Sequence, residues 1–322
     1  VVDGLLPEKS VAGNTRTRQM TEGDRLSGLV KAMPLVFVLI WSTGFVVARY
    51  GMPYAPPMTF LCIRFALSFA CFLLWARFTR ARWPQSRLQW CHLAVVGVLL
   101  QAGYLGGVWS AVKLGMGAGL SALIVGLQPI LTAIWFSLVG ARVSARQWTG
   151  LLLGLLGVLL VVLEKVQRSL EVTPITLGYV LLALAAITVG TIYQKRHVTP
   201  TDVRTANTVQ LGVAMVVSLP FAYFETESVI WSTQMVGALA WSVLVLTVLG
   251  GSLLFLLIQR GAVMSVTSLF YLVPPTTALL AWLLFDEHLS VLIGVGVLLT
   301  AIAVGLVIKS PAPVRHTERD AG

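Results

Sequence analysis

The sequence predicts an all-α membrane protein: ten transmembrane helices forming two inverted five-helix repeats. Three observations predict it. They are the apolar composition, the placement of Lys and Arg between apolar runs, and a self-similarity at a single offset. Of 322 residues, 57% are hydrophobic and only 11% are charged. Soluble domains run nearer a quarter charged. A soluble core cannot use this much apolar surface, whereas a bilayer can. The net charge of +10 does not point to nucleic acid, because the basic residues sit in short clusters and form no stripe with aromatics. Cys62, Cys71 and Cys91 lie in or beside apolar runs and are expected as small apolar packers, not as disulfide or metal ligands.

Apolar runs of spanning length occur over 32–50, 58–77, 90–112, 118–139, 146–163, 177–194, 205–224, 235–258, 264–285 and 289–308. The intervening segments are short, and most carry Pro, Gly or charge. The polar stretches 1–31 and 310–322 are expected as tails, the first without the apolar core of a secretory signal. The resulting organisation is a tail over 1–31, a repeat over 32–168, a second repeat over 169–309 and a tail over 310–322.

An even number of spans puts both ends of the chain on one side. Of the 23 Lys and Arg residues, 18 then fall on that side, while Arg49, Lys113, Lys165 and Arg168 fall on the other. Arg64 alone lies within a span. Positive residues stay inside, so both termini are expected in the cytoplasm.

Sliding the chain against itself gives an informative offset of 146 residues. Gly44 then meets Gly190, Gly115 meets Gly261, Pro129 meets Pro275, Ser144 meets Ser290 and Gly150 meets Gly296. GARVSARQWTG aligns with DEHLSVLIGVG without a gap. Each half holds five spans, an odd number, so the second half enters the bilayer inverted. That is the plan of secondary transporters, with the substrate held near the midplane between the halves.

The stretches WSTGFVVARYG, PPMTFLCIRF, GLSALIVGLQPILTAIWFSLVGARVSARQWTG and SLFYLVPPTTALLAWLLFDEHLS resemble the ten-helix EamA-type branch of the drug/metabolite transporter superfamily. The resemblance covers about residues 32–309. It implies a bundle in the bacterial inner membrane with a central cavity, lined by helices 1, 3, 4, 6, 8 and 9. Many members export amino acids or other small metabolites. The family often ends its fourth span with Gly-Glu. Here Gly140-Ala141 stands there, while the ninth span keeps Asp286-Glu287.

Those helices carry the candidate substrate-binding residues. They are Trp41 and Ser42 on the first, Gln101, Tyr104 and Trp109 on the third, and Gln128 on the fourth. Thr188 and Tyr193 follow on the sixth, Ser252 and Phe255 on the eighth, Ser268 and Tyr271 on the ninth. Aromatic faces with neutral hydrogen-bonding groups suit a metabolite site. The same residues also suit helix–helix hydrogen bonding and headgroup anchoring.

Pro129, Pro274 and Pro275 lie within spans, where a missing N–H frees a carbonyl one turn earlier. They are candidate hinges or, alternatively, static kinks. Arg64 lies about seven residues into its span, roughly 10 Å deep. Its mate in the other half is Gln210, which argues that both face inward. Arg64 either ties helices together near the outer gate or contacts a substrate carboxylate.

All thirteen acidic residues fall in tails, loops or helix ends, so no carboxylate sits deep in a span to carry a proton. His92, near the end of the third span, is either an interfacial histidine or a proton shuttle. Facilitated transport or exchange is therefore expected. The expected activity is movement of a small metabolite, an amino acid or related compound, by alternating access and outward. The expected partners are that substrate and the lipid bilayer, with no nucleic acid, no cofactor and no metal, and a monomer or weak homodimer. A membrane-embedded enzyme is the rival, and it needs a cluster of titratable groups at membrane depth that the sequence does not display. A structural membrane protein without transport is the other.

Overall fold

The computed structural model describes residues 33, 35–139, 145–168, 171–253, 272–287 and 290–308. Among these, ten helices follow one another: α1 Leu35–Gly51, α2 Pro57–Phe78, α3 Arg87–Lys113, α4 in two segments, Ala118–Val125 and Gln128–Leu138, and α5 Ala145–Arg168. The second half continues with α6 Pro174–His197, α7 Val203–Tyr223, α8 Thr233–Leu253, α9 Val273–Phe285 and α10 Val291–Ile308. The order and number of helices are those the hydropathy predicts. Five are long and apolar enough to cross a bilayer by length and composition alone. The ends of the eighth and the start of the ninth predicted span, with Phe255, Ser268 and Tyr271, lie outside the described residues, as do both tails.

Helix starts follow local chemistry. Pro57 and Pro174 occupy first-turn positions, where a missing N–H is no loss. Thr173 and Thr176 form a capping box on α6, and Ser86 caps α3 by accepting from Gln89 N–H at 3.1 Å. The α2 N-terminus has no side-chain cap of its own. Glu225, from the segment after α7, caps it instead, accepting from Met58 N–H at 2.8 Å and from Thr59 N–H at 2.7 Å.

Between helices in lipid there is little hydrophobic drive, so close contact and internal hydrogen bonds hold the bundle. α2 packs most extensively on α7, and α5 on α10. Each pair joins a helix to its counterpart in the other repeat. On α5, a Cβ at Gly157 would lie 2.6 Å from the Gly296 carbonyl of α10, so the two backbones touch. Gly107 of the Gly103-xxx-Gly107 spacing likewise faces α6, where a Cβ would meet the Tyr179 carbonyl at 2.5 Å. That spacing serves packing within the chain. Leu152, Leu155, Leu156 and Leu159 point outward from α5 as a lipid-facing stripe.

Two elements depart from simple helices. α3 contains a π-helical segment, Gly97–Gly103, and α8 contains one over Trp241–Gly250. At the 146-residue offset these segments overlap. Such bulges are rare and widen a helix locally, commonly at functional sites. α4 breaks at Gly126 and Leu127, and Pro129 sits in the first turn of its second segment. Pro274 and Pro275 sit in the first turn of α9.

Candidate functional site

A cavity of about 510 Å³ lies at the centre of the bundle. Residues of both repeats line it in pairs related by the 146-residue offset: Trp41 with Ile187, Phe45 with Thr191, Arg64 with Gln210 and Leu100 with Leu246. Gln101 pairs with Thr247, and Pro129 with Pro275, in the same way. Equivalent residues of the two repeats thus share one cavity, as a duplicated, inverted chain is expected to place them.

The π segments supply two of these pairs. Leu100 and Gln101 come from α3, and Leu246 and Thr247 from α8. Gly97 lets α3 approach α7 here, since a Cβ would lie 2.6 Å from the Gln210 carbonyl. Pro129 and Pro275 supply another pair, and the α4 break lies against the start of α9. A Cβ on Gly126, at the break in α4, would lie 2.8 Å from Pro274 Cγ.

Arg64 is 6% exposed and is the one charged side chain among the described lining residues. Its Nη2 donates to Thr247 Oγ1 at 3.3 Å, and its guanidinium carbon lies 5.2 Å from the Trp109 ring centroid. Among the described residues, Nε and Nη1 have no partner. Thr247 in turn donates to the Ser242 carbonyl at 2.8 Å.

Of the residues singled out in the sequence, Trp41, Gln101, Tyr104, Gln128, Arg64, Pro129, Gln210, Pro274 and Pro275 line the cavity. Five candidates do not. Trp109 is 2% exposed and lies under the Arg64 guanidinium, a support for that side chain instead of a wall. Ser42 donates to the Val38 carbonyl at 2.7 Å, while its own carbonyl accepts from Thr277 at 3.2 Å, so it joins α1 to α9. Thr188 and Ser252 donate to carbonyls one turn back, Leu184 at 2.6 Å and Val248 at 2.5 Å. A hydroxyl satisfied by its own helix brings no polarity to the cavity. Tyr193 hydrogen-bonds His92 Nδ1 at 2.8 Å beside His197, away from the cavity. Conversely, α2, α7 and α10 contribute lining residues, beyond the six helices the resemblance implied. Thr247 and Asn207 were not anticipated, although the offset from Gln101 marks Thr247.

The two ends of the cavity differ. Toward the loops 79–86 and 198–202 it is lined by Gln194, Val203, Ala206 and Asn207. The Arg204 guanidinium at this rim donates to both oxygens of Asp202, at 2.9 and 2.6 Å, and holds that carboxyl below its usual range. At the opposite end the equivalents of Gln194, Ala206 and Asn207 are Ala48, Phe60 and Leu61, each 0% exposed. Polar links close that end. Glu287 accepts from Ala118 N–H at 3.0 Å and lies 3.8 Å from Arg49 Nη1. Tyr50 packs on Phe285 at 4.9 Å, and Ile230 N–H donates to the Tyr54 carbonyl at 2.7 Å. Glu164 near the end of α5 is 7% exposed and accepts from Ser290, outside the cavity lining.

A family model described as the EamA-like transporter family matches residues 28–163 and 175–309. A protein of Salmonella typhimurium named a probable amino-acid metabolite efflux pump is 26% identical over 273 residues, covering 80% of this chain and 87% of the relative. The Escherichia coli protein of the same name is 26% identical over 291 residues, covering 86% and 93%. An uncharacterized transporter of Bacillus subtilis is 24% identical over 281 residues, covering 86% and 90%. One solved crystal structure superposes with a TM-score of 0.61 at 18% identity, covering 85% of this chain and 94% of that one, a likeness of fold.

Proposed function

The chain belongs to the EamA-like transporter family, and from that premise we propose that it moves a small amphipathic metabolite, an amino acid or related compound, across the inner membrane by alternating access. Its relatives named as probable efflux pumps support the substrate class and the outward direction. The charge asymmetry supports cytoplasmic termini, which puts the loops 79–86 and 198–202 on the cytoplasmic side. The cavity then faces the cytoplasm, where an exported metabolite is collected.

The observation that carries this reading is the asymmetric use of symmetric residues. Ala206 and Asn207 line the cavity, while their equivalents Phe60 and Leu61 are buried at the closed end. If the two repeats exchange conformations, Phe60 and Leu61 come to line a cavity open to the other side, and Ala206 and Asn207 become buried. Two nearly equivalent arrangements of one fold are the bistable element such a carrier needs. The described lining holds no Asp or Glu, which supports facilitated exchange over proton coupling.

Purified protein in proteoliposomes tests this. Counterflow of labelled amino acids is expected to be saturable and unaffected by a protonophore. Labelled amino acids that enter no faster than into protein-free vesicles would count against the reading.

A further inference from the structure

We propose that Arg64 is the docking point for a carboxylate on the transported molecule. This rests on the transport reading above and names the chemical class its site selects. Three observations carry it. Arg64 lines the central cavity yet is 6% exposed, with Nε and Nη1 lacking an acceptor among the described residues. Trp109, whose ring lies 5.2 Å from the guanidinium, has an indole N–H that also lacks an acceptor among the described residues. No Asp or Glu lies among the described lining residues to neutralise the charge.

A guanidinium held out of bulk water with one neutral hydrogen bond is costly for the protein. A carboxylate offers what it lacks. Its two oxygens accept from two N–H groups on one fork, a charge-assisted arrangement that also fixes orientation. Thr247 accepts one of the two Nη2 hydrogens, at 3.3 Å, and the Trp109 face beneath restrains the plane of the guanidinium. The parallel N–H pairs of a guanidinium are Nε with Nη2 and Nη1 with Nη2, so the second Nη2 hydrogen together with Nε or Nη1 forms the fork left for the ligand. A single cation matches a monoanion. A phosphorylated compound with two or more charges would want further cations. Gln210, the symmetry equivalent of Arg64, is neutral and lines the same cavity. The anion is thus held on the first repeat, and the second repeat presents the amides of Gln194, Asn207 and Gln210. The apolar part of the ligand is left to Trp41, Phe45 and Leu246.

Matched pairs test this. Thermal unfolding of the detergent-purified full chain is followed with L-phenylalanine, L-leucine and L-methionine, each beside its carboxamide. Wild type is expected to be stabilised by at least one acid, with its amide about tenfold weaker or more, the size of a lost charge-assisted hydrogen bond. In Arg64→Gln the acid should weaken by about the same factor and the acid–amide difference should vanish, while Arg64→Lys retains part of it. Far-ultraviolet circular dichroism and the unliganded melting temperature establish that each variant is folded. If Arg64→Gln does not fold, Arg64→Lys with the wild-type acid–amide comparison decides. Equal binding of acid and amide by wild type, an acid preference that survives in Arg64→Gln, or no stabilisation by any acid overturns the proposal. Counterflow on the same pairs separates the two readings. Acids that bind through Arg64 but are not moved leave the docking and remove the transport reading. Acids and amides moved equally fast leave transport and remove the docking.

Discussion

Glu287, at the end of α9, caps α4 from another helix: its Oε1 accepts from Ala118 N–H at 3.0 Å. Gly117, the residue before α4, has no side chain to do this. A carboxylate at a helix N-terminus satisfies an orphan donor and opposes the positive end of the dipole. Arg49 of α1 lies 3.8 Å away, so three helices meet on one acid at the closed end. Asp286-Glu287 thus has a role that its counterpart Gly140-Ala141 has no carboxylate to repeat.

Replacing Glu287 by Ala should loosen that end. A lost cap costs about 0.5–2 kcal/mol, enough to shift a two-state population roughly two- to thirtyfold. In a background free of native cysteines, a Leu61→Cys thiol should react faster with a membrane-impermeant maleimide when Glu287→Ala is added. An unchanged rate would remove Glu287 from the gate.

The contact between α3 and α7 should tolerate no added methyl. Gly97→Ala places a Cβ 2.6 Å from a backbone oxygen that cannot rotate away. We expect a loss of about 1–3 kcal/mol and a lower melting temperature in detergent. Gly178→Ala on α6 is the control, because no described residue comes within 4 Å of its Cβ. It should be neutral or slightly stabilising.

Thr247→Val keeps shape and removes the one acceptor that the described residues offer the Arg64 guanidinium. The expected cost is about 1–3 kcal/mol, read as melting temperature. Thr247→Ser should retain most of the stability. Equal losses in both would point to packing instead of the hydroxyl.

The break in α4 tests whether paired prolines act as hinges. Pro129→Ala restores a backbone donor and lets the two segments approach one helix. If the break moves during exchange, turnover should fall several-fold while substrate binding stays within about twofold, as for hinge residues. Unchanged turnover would make the break static.

Much of the architecture was legible because bilayer physics leaves few options. Hydropathy marks the spans, and the offset marks the duplication. It also pairs Arg64 with Gln210 and Pro129 with Pro275, and all four line the cavity. What periodicity does not give is depth. Trp109 lies beyond Tyr104 toward the end where helices converge, so an inward face there means burial. Hydroxyls mislead for another reason. Ser42 and Thr188 look polar in sequence, yet each spends its hydrogen on its own helix. Thr247 went unnoticed because a π segment alters which residues share a face, and a regular 3.6-residue reading does not include that shift.

The exchange of equivalent residues between open and closed ends is tested most directly by thiol accessibility at one symmetric pair. In sealed proteoliposomes of uniform orientation, Asn207→Cys and Leu61→Cys are each labelled from either side with an impermeant maleimide, with and without a transported amino acid in exchange. The two positions should react from opposite faces, and conditions that speed one should slow the other. Labelling of both from the same face, or a Leu61→Cys thiol that stays inert while transport proceeds, would contradict alternating access through this cavity.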